Sequence, residues 1–248
     1  MKFIFFLFFF LLNYQASANE ILKIAVASNF VEPIKLIKKK FEEKNRMTLK
    51  IIKGSTSQLF SQIINNAPVE IFLSADQITP RKLPKSLIIE NTQFTYAIGK
   101  LILWTTLKQN QPLNAVTFFK RVKINKLTIA NPKFSPYGKS SKEFLKNIKV
   151  WKNINDKLVF ANNINQVVSF LYSGNVKNGF ISYSDKIKLK YNNKGMFLEV
   201  PETLYPKIKQ DVIMLTKGRR NQFATIFLNF LKSSEIKEVI KSFGYGIN

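Results

Sequence analysis

The stretch Ile24-Ala25-Val26-Ala27-Ser28-Asn29-Phe30 is an apolar, partly β-branched run that stops at two small polar residues, after which Phe30, Ile34, Ile37 and Phe41 recur at helical spacing. It reads as strand, turn, helix. The pattern returns at once: Leu49-Lys50-Ile51-Ile52 is a second strand, Gly54-Ser55-Thr56-Ser57-Gln58 a turn, and Leu59, Phe60, Ile63 and Ile64 the inward face of a second helix. After the break at Ala67-Pro68, a third short strand from Val69 to Leu73 ends in Ser74-Ala75-Asp76. Strands joined by helical crossovers run parallel, and a parallel sheet needs helices on both faces, so these three units commit the chain to an α/β architecture.

The rest of the chain extends this frame. Phe94 to Thr105 is apolar apart from an interruption at Gly99-Lys100, and is expected to be one strand long enough to run from one lobe toward another. Leu127-Thr128-Ile129-Ala130 restarts the strand pattern, with Asn131-Pro132 and Pro136-Tyr137-Gly138 in the following loop and a helix expected from about Ser140 to Ile148. Leu158 to Ala161 repeats it, with Asn162-Asn163-Ile164-Asn165 leading into Val167, Val168, Phe170 and Leu171. Gly179 to Ser182 is the next strand, ending at Tyr183-Ser184-Asp185. Lys207 to Leu215 is placed to return to the first lobe, followed by a helix marked by Phe223, Ile226, Phe227 and Phe230 and a last amphipathic one from Ser233-Ser234-Glu235. The expected organisation is two α/β lobes, each a mostly parallel sheet flanked by helices. Residues 19–97 and 207–248 form the first lobe and 98–206 the second.

Residues 1–18 are set aside from the fold. Met1-Lys2, the apolar run Phe3 to Leu12 and the small-residue site Ala16-Ser17-Ala18 have the form of a secretory signal peptide, which places the mature chain in the periplasm; the run is short for a membrane span. The absence of cysteine removes disulfides, thiolate metal sites, cysteine catalysis and a lipid-modified N-terminal cysteine. The absence of histidine removes the familiar triads and common zinc sites, and no spacing pairs two of the few carboxylates for acid–base work. Gly138-Lys139-Ser140 lacks the glycine a phosphate loop needs five residues earlier, where Lys133 stands. The expectation is a protein that is not an enzyme and holds no cofactor or bare metal cation.

The excess of 39 Lys and Arg over 15 Asp and Glu, a net charge of +24, invites a nucleic-acid or membrane-surface reading. The lysines are scattered over every expected helix and turn rather than gathered in a stripe with stacking aromatics. They read as a general composition bias whose positive potential hastens anion capture, with no nucleic acid as partner.

What recurs is the short polar strand end: Ser28-Asn29, Ser55-Thr56-Ser57, Pro136-Tyr137-Gly138 and Asn162-Asn163-Ile164, each followed by a helix. Ligands of open α/β sheets bind beyond the carboxyl ends of the strands, so these loops can face one cleft. Hydroxyls and backbone N–H groups donate hydrogen bonds to an anion without adding fixed charge. Each loop alone reads as an ordinary helix cap before it reads as a site. Together they suit a fully ionised oxyanion, because a protonated ligand would also require an acceptor.

On Ile24 to Phe30, Gly54-Ser55-Thr56-Ser57-Gln58-Leu59, Ala67-Pro68-Val69-Glu70-Ile71-Phe72-Leu73-Ser74-Ala75-Asp76-Gln77, Ala97-Ile98-Gly99-Lys100-Leu101, Ile129-Ala130-Asn131-Pro132, Pro136-Tyr137-Gly138 and Tyr205-Pro206, the chain resembles the periplasmic molybdate/tungstate-binding proteins of ABC importers, a group of type II periplasmic binding proteins. The resemblance implies a Venus-flytrap fold closing on a bare tetrahedral oxyanion, molybdate or tungstate, and a monomer that delivers it to a membrane permease. It also implies roles for particular residues. Ser28 takes the first hydroxyl position with Asn29 beside it, and Thr56, flanked by Ser55 and Ser57, the second. Tyr137 and Ile164 take the positions whose backbone N–H groups contact the anion. The fifth family position, often a tyrosine, falls at Ser182, next to Tyr183, and is a departure. The same fold serving sulfate or a small organic acid is the alternative, and a basic nucleic-acid or envelope-binding protein a more distant one.

Overall fold

The computed structural model describes residues 20–106, 114–186, 189 and 195–247; the expected signal peptide lies outside them. The chain begins with β1 (Ile21–Ala27), a single turn of 3-10 helix at Ser28–Phe30 and α1 (Val31–Asn45), which buries Ile34, Ile37 and Phe41 as their spacing requires. Arg46, in the left-handed conformation, ends the helix, and its N–H donates to the Glu42 carbonyl. β2 (Thr48–Gly54) leads into α2 (Thr56–Ile64) through a capping box: Ser55 Oγ accepts from Gln58 N and the Gln58 side chain accepts from Ser55 N. β3 (Ile71–Leu73), the short α3 (Ile78–Arg81) and β4 (Phe94–Gly99) follow.

β4 stops at Gly99 and β5 (Leu101–Thr105) starts after one intervening residue, Lys100. The single long strand expected here is therefore two, divided at the Gly99-Lys100 interruption, and each half pairs in a different sheet. Next come α4 (Ala115–Arg121), β6 (Leu127–Ala130) and α5 (Pro136–Asn147). α5 begins four residues before the expected Ser140, because Ser135 caps it and Pro136 occupies the first helical position, where a missing N–H costs nothing. α6 (Trp151–Ile154), β7 (Leu158–Ala161), α7 (Ile164–Tyr172), β8 (Asn178–Ser182), β9 (Met196–Glu199), β10 (Ile208–Met214), α8 (Gln222–Lys232) and α9 (Ser234–Ser242) complete the order among the described residues.

Ten strands form two sheets of five, ordered β2-β1-β3-β10-β4 and β7-β6-β8-β5-β9. In the first, β2, β1 and β3 are parallel neighbours and β10 is antiparallel to both β3 and β4, so β10 alone runs against the other four. In the second, β7, β6 and β8 are parallel and β5 opposes both β8 and β9. The one reversed strand in each sheet adjoins a crossing between the sheets: β5 follows Lys100, and β10 follows the segment 200–207.

The first sheet is covered on both faces. Leu22, Ile24 and Val26 of β1, Ile71 and Leu73 of β3, and Val212 and Met214 of β10 pack with Phe30, Phe41 and Phe227 on one side. Their alternates Ala25, Phe72 and Ile213 pack with Leu59 and Ile63 of α2 on the other. The second sheet has its own core around Trp104, Phe118, Phe144 and Phe180, with Phe119 stacked on Phe180 at 5.9 Å. At the crossings, Leu101 N donates to Tyr205 Oη at 3.1 Å and Tyr183 N to the Lys100 carbonyl at 2.9 Å.

Candidate functional site

Because four strands of each sheet share a direction, their carboxyl ends and the helices that follow can point at one place. Ala27, Ser28, Asn29, Ser55, Thr56 and Ala75 from the first sheet's strand ends, and Ser135, Pro136, Tyr137 and Ile164 from the second's, enclose a cavity of about 10 Å³. No lysine, arginine, aspartate or glutamate lines it. Its polarity comes from hydroxyls and from helix starts. Thr56, Tyr137 and Ile164 stand in the first turns of α2, α5 and α7, where backbone N–H groups have no acceptor within the helix, and Ser28 and Asn29 open the 3-10 turn before α1. Four helix starts thus bring N–H groups and the positive ends of peptide dipoles to one small volume.

The hydroxyls are arranged as donors. Thr56 Oγ1 accepts from Ala75 N at 3.1 Å, which engages its lone pair and leaves its proton for the cavity. Ser55 Oγ and Ser135 Oγ likewise accept from their own helices, at Gln58 N (3.2 Å) and Gly138 N (3.4 Å). Ser28 is 6% exposed as a residue, and its Oγ has no protein partner among the described residues. A donor-rich, uncharged and buried pocket stabilises an anion and offers no carboxylate to receive a ligand proton.

The three remaining sequence candidates are placed differently. Asn29 lines the cavity, but its carboxamide turns away: Nδ2 donates to Gln210 Oε1 at 2.9 Å and to Tyr245 Oη at 3.1 Å, so what it presents is backbone. Ser57 Oγ donates across the cleft to the Phe134 carbonyl at 3.2 Å. Ser182, fully buried in β8, donates to Asp185 Oδ2 at 2.5 Å and its Oγ lies 2.9 Å from Ser184 Oγ; it does not line the cavity. Sequence reasoning did not single out Ser135 or Ala75. The Ser135-Pro136 pair, a cap followed by proline, was the available signal for the first; Ala75 carries none, since it contributes only a backbone N–H.

Behind the cavity the phenols of Tyr96, Tyr137 and Tyr245 are buried together. Burial is the main cause that pushes all three above the ordinary tyrosine range; neighbouring tyrosines and carboxylates add to it for Tyr96 and Tyr137, whereas for Tyr245 hydrogen bonds with Ser184, Asn29 and Tyr137 oppose it and the Asp185 carboxylate adds to it. They are neutral hydroxyls at any physiological pH. Tyr137 Oη accepts from Gln210 Nε2 at 3.2 Å, joining α5 of the second lobe to β10 of the first.

The sequence profile of the family described as bacterial extracellular solute-binding protein matches residues 22–246. The molybdate-binding protein ModA of Azotobacter vinelandii is 37% identical over 96% of this chain and 94% of its own length, and that of Rhodobacter capsulatus 36% identical over 93% and 89%. Among solved structures, the periplasmic molybdate-binding protein of Azotobacter vinelandii superposes with a TM-score of 0.84 at 27% identity, covering 92% of this chain and 99% of that one. A helix-flanked pair of five-stranded sheets, a cleft of uncharged donors between them and a match over nearly the whole described chain lead to one assignment: the chain belongs to the bacterial extracellular solute-binding proteins, and is a binding protein rather than an enzyme.

Proposed function

We propose that this protein captures molybdate or tungstate in the periplasm and delivers it, as a monomer, to the membrane permease of an ABC importer. The observation that carries the reading is the meeting of four helix starts and the Thr56 hydroxyl at a cavity without charged side chains. A doubly charged tetrahedral ion is bound there by many small dipoles and released without breaking an ion pair. Ser28, Thr56, Tyr137 and Ile164 hold the anion, with Asn29 acting through its backbone N–H and Ser55 and Ser135 through their hydroxyls. The lobes divide near Lys100 and within 200–207, where the chain passes between the sheets, and close about those two crossings. The kinship with molybdate-binding proteins at 36–37% identity supports the choice of ion.

Sulfate shares the ion's charge and geometry, and phosphate carries a proton near neutral pH that this lining gives no carboxylate to accept. Titration calorimetry of the mature protein against molybdate, tungstate, sulfate and phosphate tests the reading. The expected result is heat and saturation with the first two at far lower concentration than with the others. Equal affinity for sulfate or phosphate would overturn it.

A further inference from the structure

Tyr245 does not line the anion cavity, yet its hydroxyl makes three contacts behind it. Tyr245 Oη donates to the Asn29 carbonyl at 2.8 Å, accepts from Asn29 Nδ2 at 3.1 Å and lies 3.0 Å from Ser184 Oγ. Ser184 Oγ in turn donates to the same Asn29 carbonyl at 2.9 Å. Asn29 opens the turn after β1 in the first lobe, and Ser184 sits in the 3-10 turn Tyr183–Asp185 that follows β8 in the second. The three groups close a triangle across the lobe boundary, all of them buried.

The tail that carries Tyr245 is built to hold it there. Gly246 and Ile98 exchange backbone hydrogen bonds of 2.7 and 2.8 Å, fixing the tail to β4. The Tyr245 ring meets Phe30 edge-on at 5.3 Å between centroids. Gly244 has φ +82°, a conformation that suits glycine, and a Cβ there would fall 2.0 Å from the Tyr183 ring, so glycine lets the tail pass close to the second lobe.

Resting on the function proposed above, we infer that Tyr245 is a positioning residue of the anion site: its hydroxyl fixes Asn29 against Ser184, so that the Ser28 and Asn29 N–H groups are held on the anion while the lobes are together. Losing it removes two of the hydrogen bonds that hold Asn29 and leaves the direct Ser184–Asn29 contact across the lobes less constrained. The cost falls on the closed, loaded state and therefore on the dissociation rate, while the first encounter of anion with the open site is unaffected.

The test is stopped-flow measurement of molybdate association and dissociation for Tyr245→Phe, which keeps the ring on Phe30, and for Ser184→Ala, which removes the other end of the contact. Thr117→Ala, which removes an α4 hydroxyl that bonds to Asn114 and touches neither Asn29 nor the cavity, is the control. The expected result is a dissociation rate raised about tenfold in Tyr245→Phe and in the same direction in Ser184→Ala, with association unchanged and the control like wild type. A purely structural role would lower the melting temperature and leave that split unmoved. Wild-type dissociation rates in both variants overturn the inference alone. A wild-type protein that binds neither molybdate nor tungstate overturns the function on which it rests, and the inference with it.

Discussion

Replacing Thr56 by valine removes one oxygen and nearly conserves shape at a residue that is 2% exposed. Two separable losses follow from the geometry. The hydroxyl proton that Thr56 offers the cavity disappears, and a hydrogen bond to a charged group is worth about 1.5–3 kcal/mol, which is roughly 10- to 150-fold in affinity. The Ala75 N–H, now 3.1 Å from a methyl group, is left buried without its acceptor, at a cost of about 1–3 kcal/mol to the free protein. Titration calorimetry with molybdate reads the first loss, and thermal unfolding without ligand reads the second. Thr56→Ser keeps the hydroxyl and should recover most of both. If Thr56→Val lowers the unfolding temperature but binds molybdate within twofold of wild type, the hydroxyl serves only Ala75, and the assignment of its proton to the ligand is wrong.

Three further outcomes are expected. Gly99→Ala puts a Cβ 2.2 Å from Tyr137 Oη and 2.7 Å from Gln210 Nε2, so the lobes should be forced apart; X-ray scattering should show a ligand-bound form that stays expanded and calorimetry a loss of at least about tenfold, and a wild-type radius with molybdate would refute this. Ser182→Ala should leave affinity within about twofold, since Ser182 is off the cavity, but lower stability by about 1–3 kcal/mol by taking a donor from the buried Asp185; affinity loss equal to that of Thr56→Val would contradict the placement. The raised pKa values of Tyr96, Tyr137 and Tyr245 mean that the fold favours the neutral phenols, so their contribution to stability is complete below the unfolded value of about 10 and is lost as pH climbs beyond it; ultraviolet titration should show these phenols ionising only with alkaline unfolding, and full ionisation near pH 10 in still-folded protein would disprove it.

Most of the fold was legible because it is written in local patterns. The apolar runs of β1, β2, β6 and β8 and the 3.6-residue spacing of Ile34, Ile37 and Phe41 are properties of neighbouring residues, and three strand–helix units leave little choice of topology. The errors were of boundary. Pro136-Tyr137-Gly138 reads locally as loop because proline and glycine punctuate loops, whereas Ser135 and Pro136 together begin a helix. The segment from Phe94 to Thr105 reads locally as one strand because hydropathy does not register which sheet each half joins.

The sequence alone determined the chemical character of the site: serine, threonine and asparagine at strand ends before helices, with histidine and cysteine absent. Tertiary structure decided what each of those groups does. Asn29 and Ser28 are neighbours in the chain, yet only the Asn29 side chain is drawn from the cavity, by Gln210 and Tyr245, residues 181 and 216 positions away. Ser57 is spent across the cleft on Phe134, and Ser182 inside the second lobe on Asp185. The physical reason is that a polar side chain satisfies its hydrogen bonds with whatever the fold brings within about 3 Å, and at these positions the partners come from distant parts of the chain, which no local pattern records.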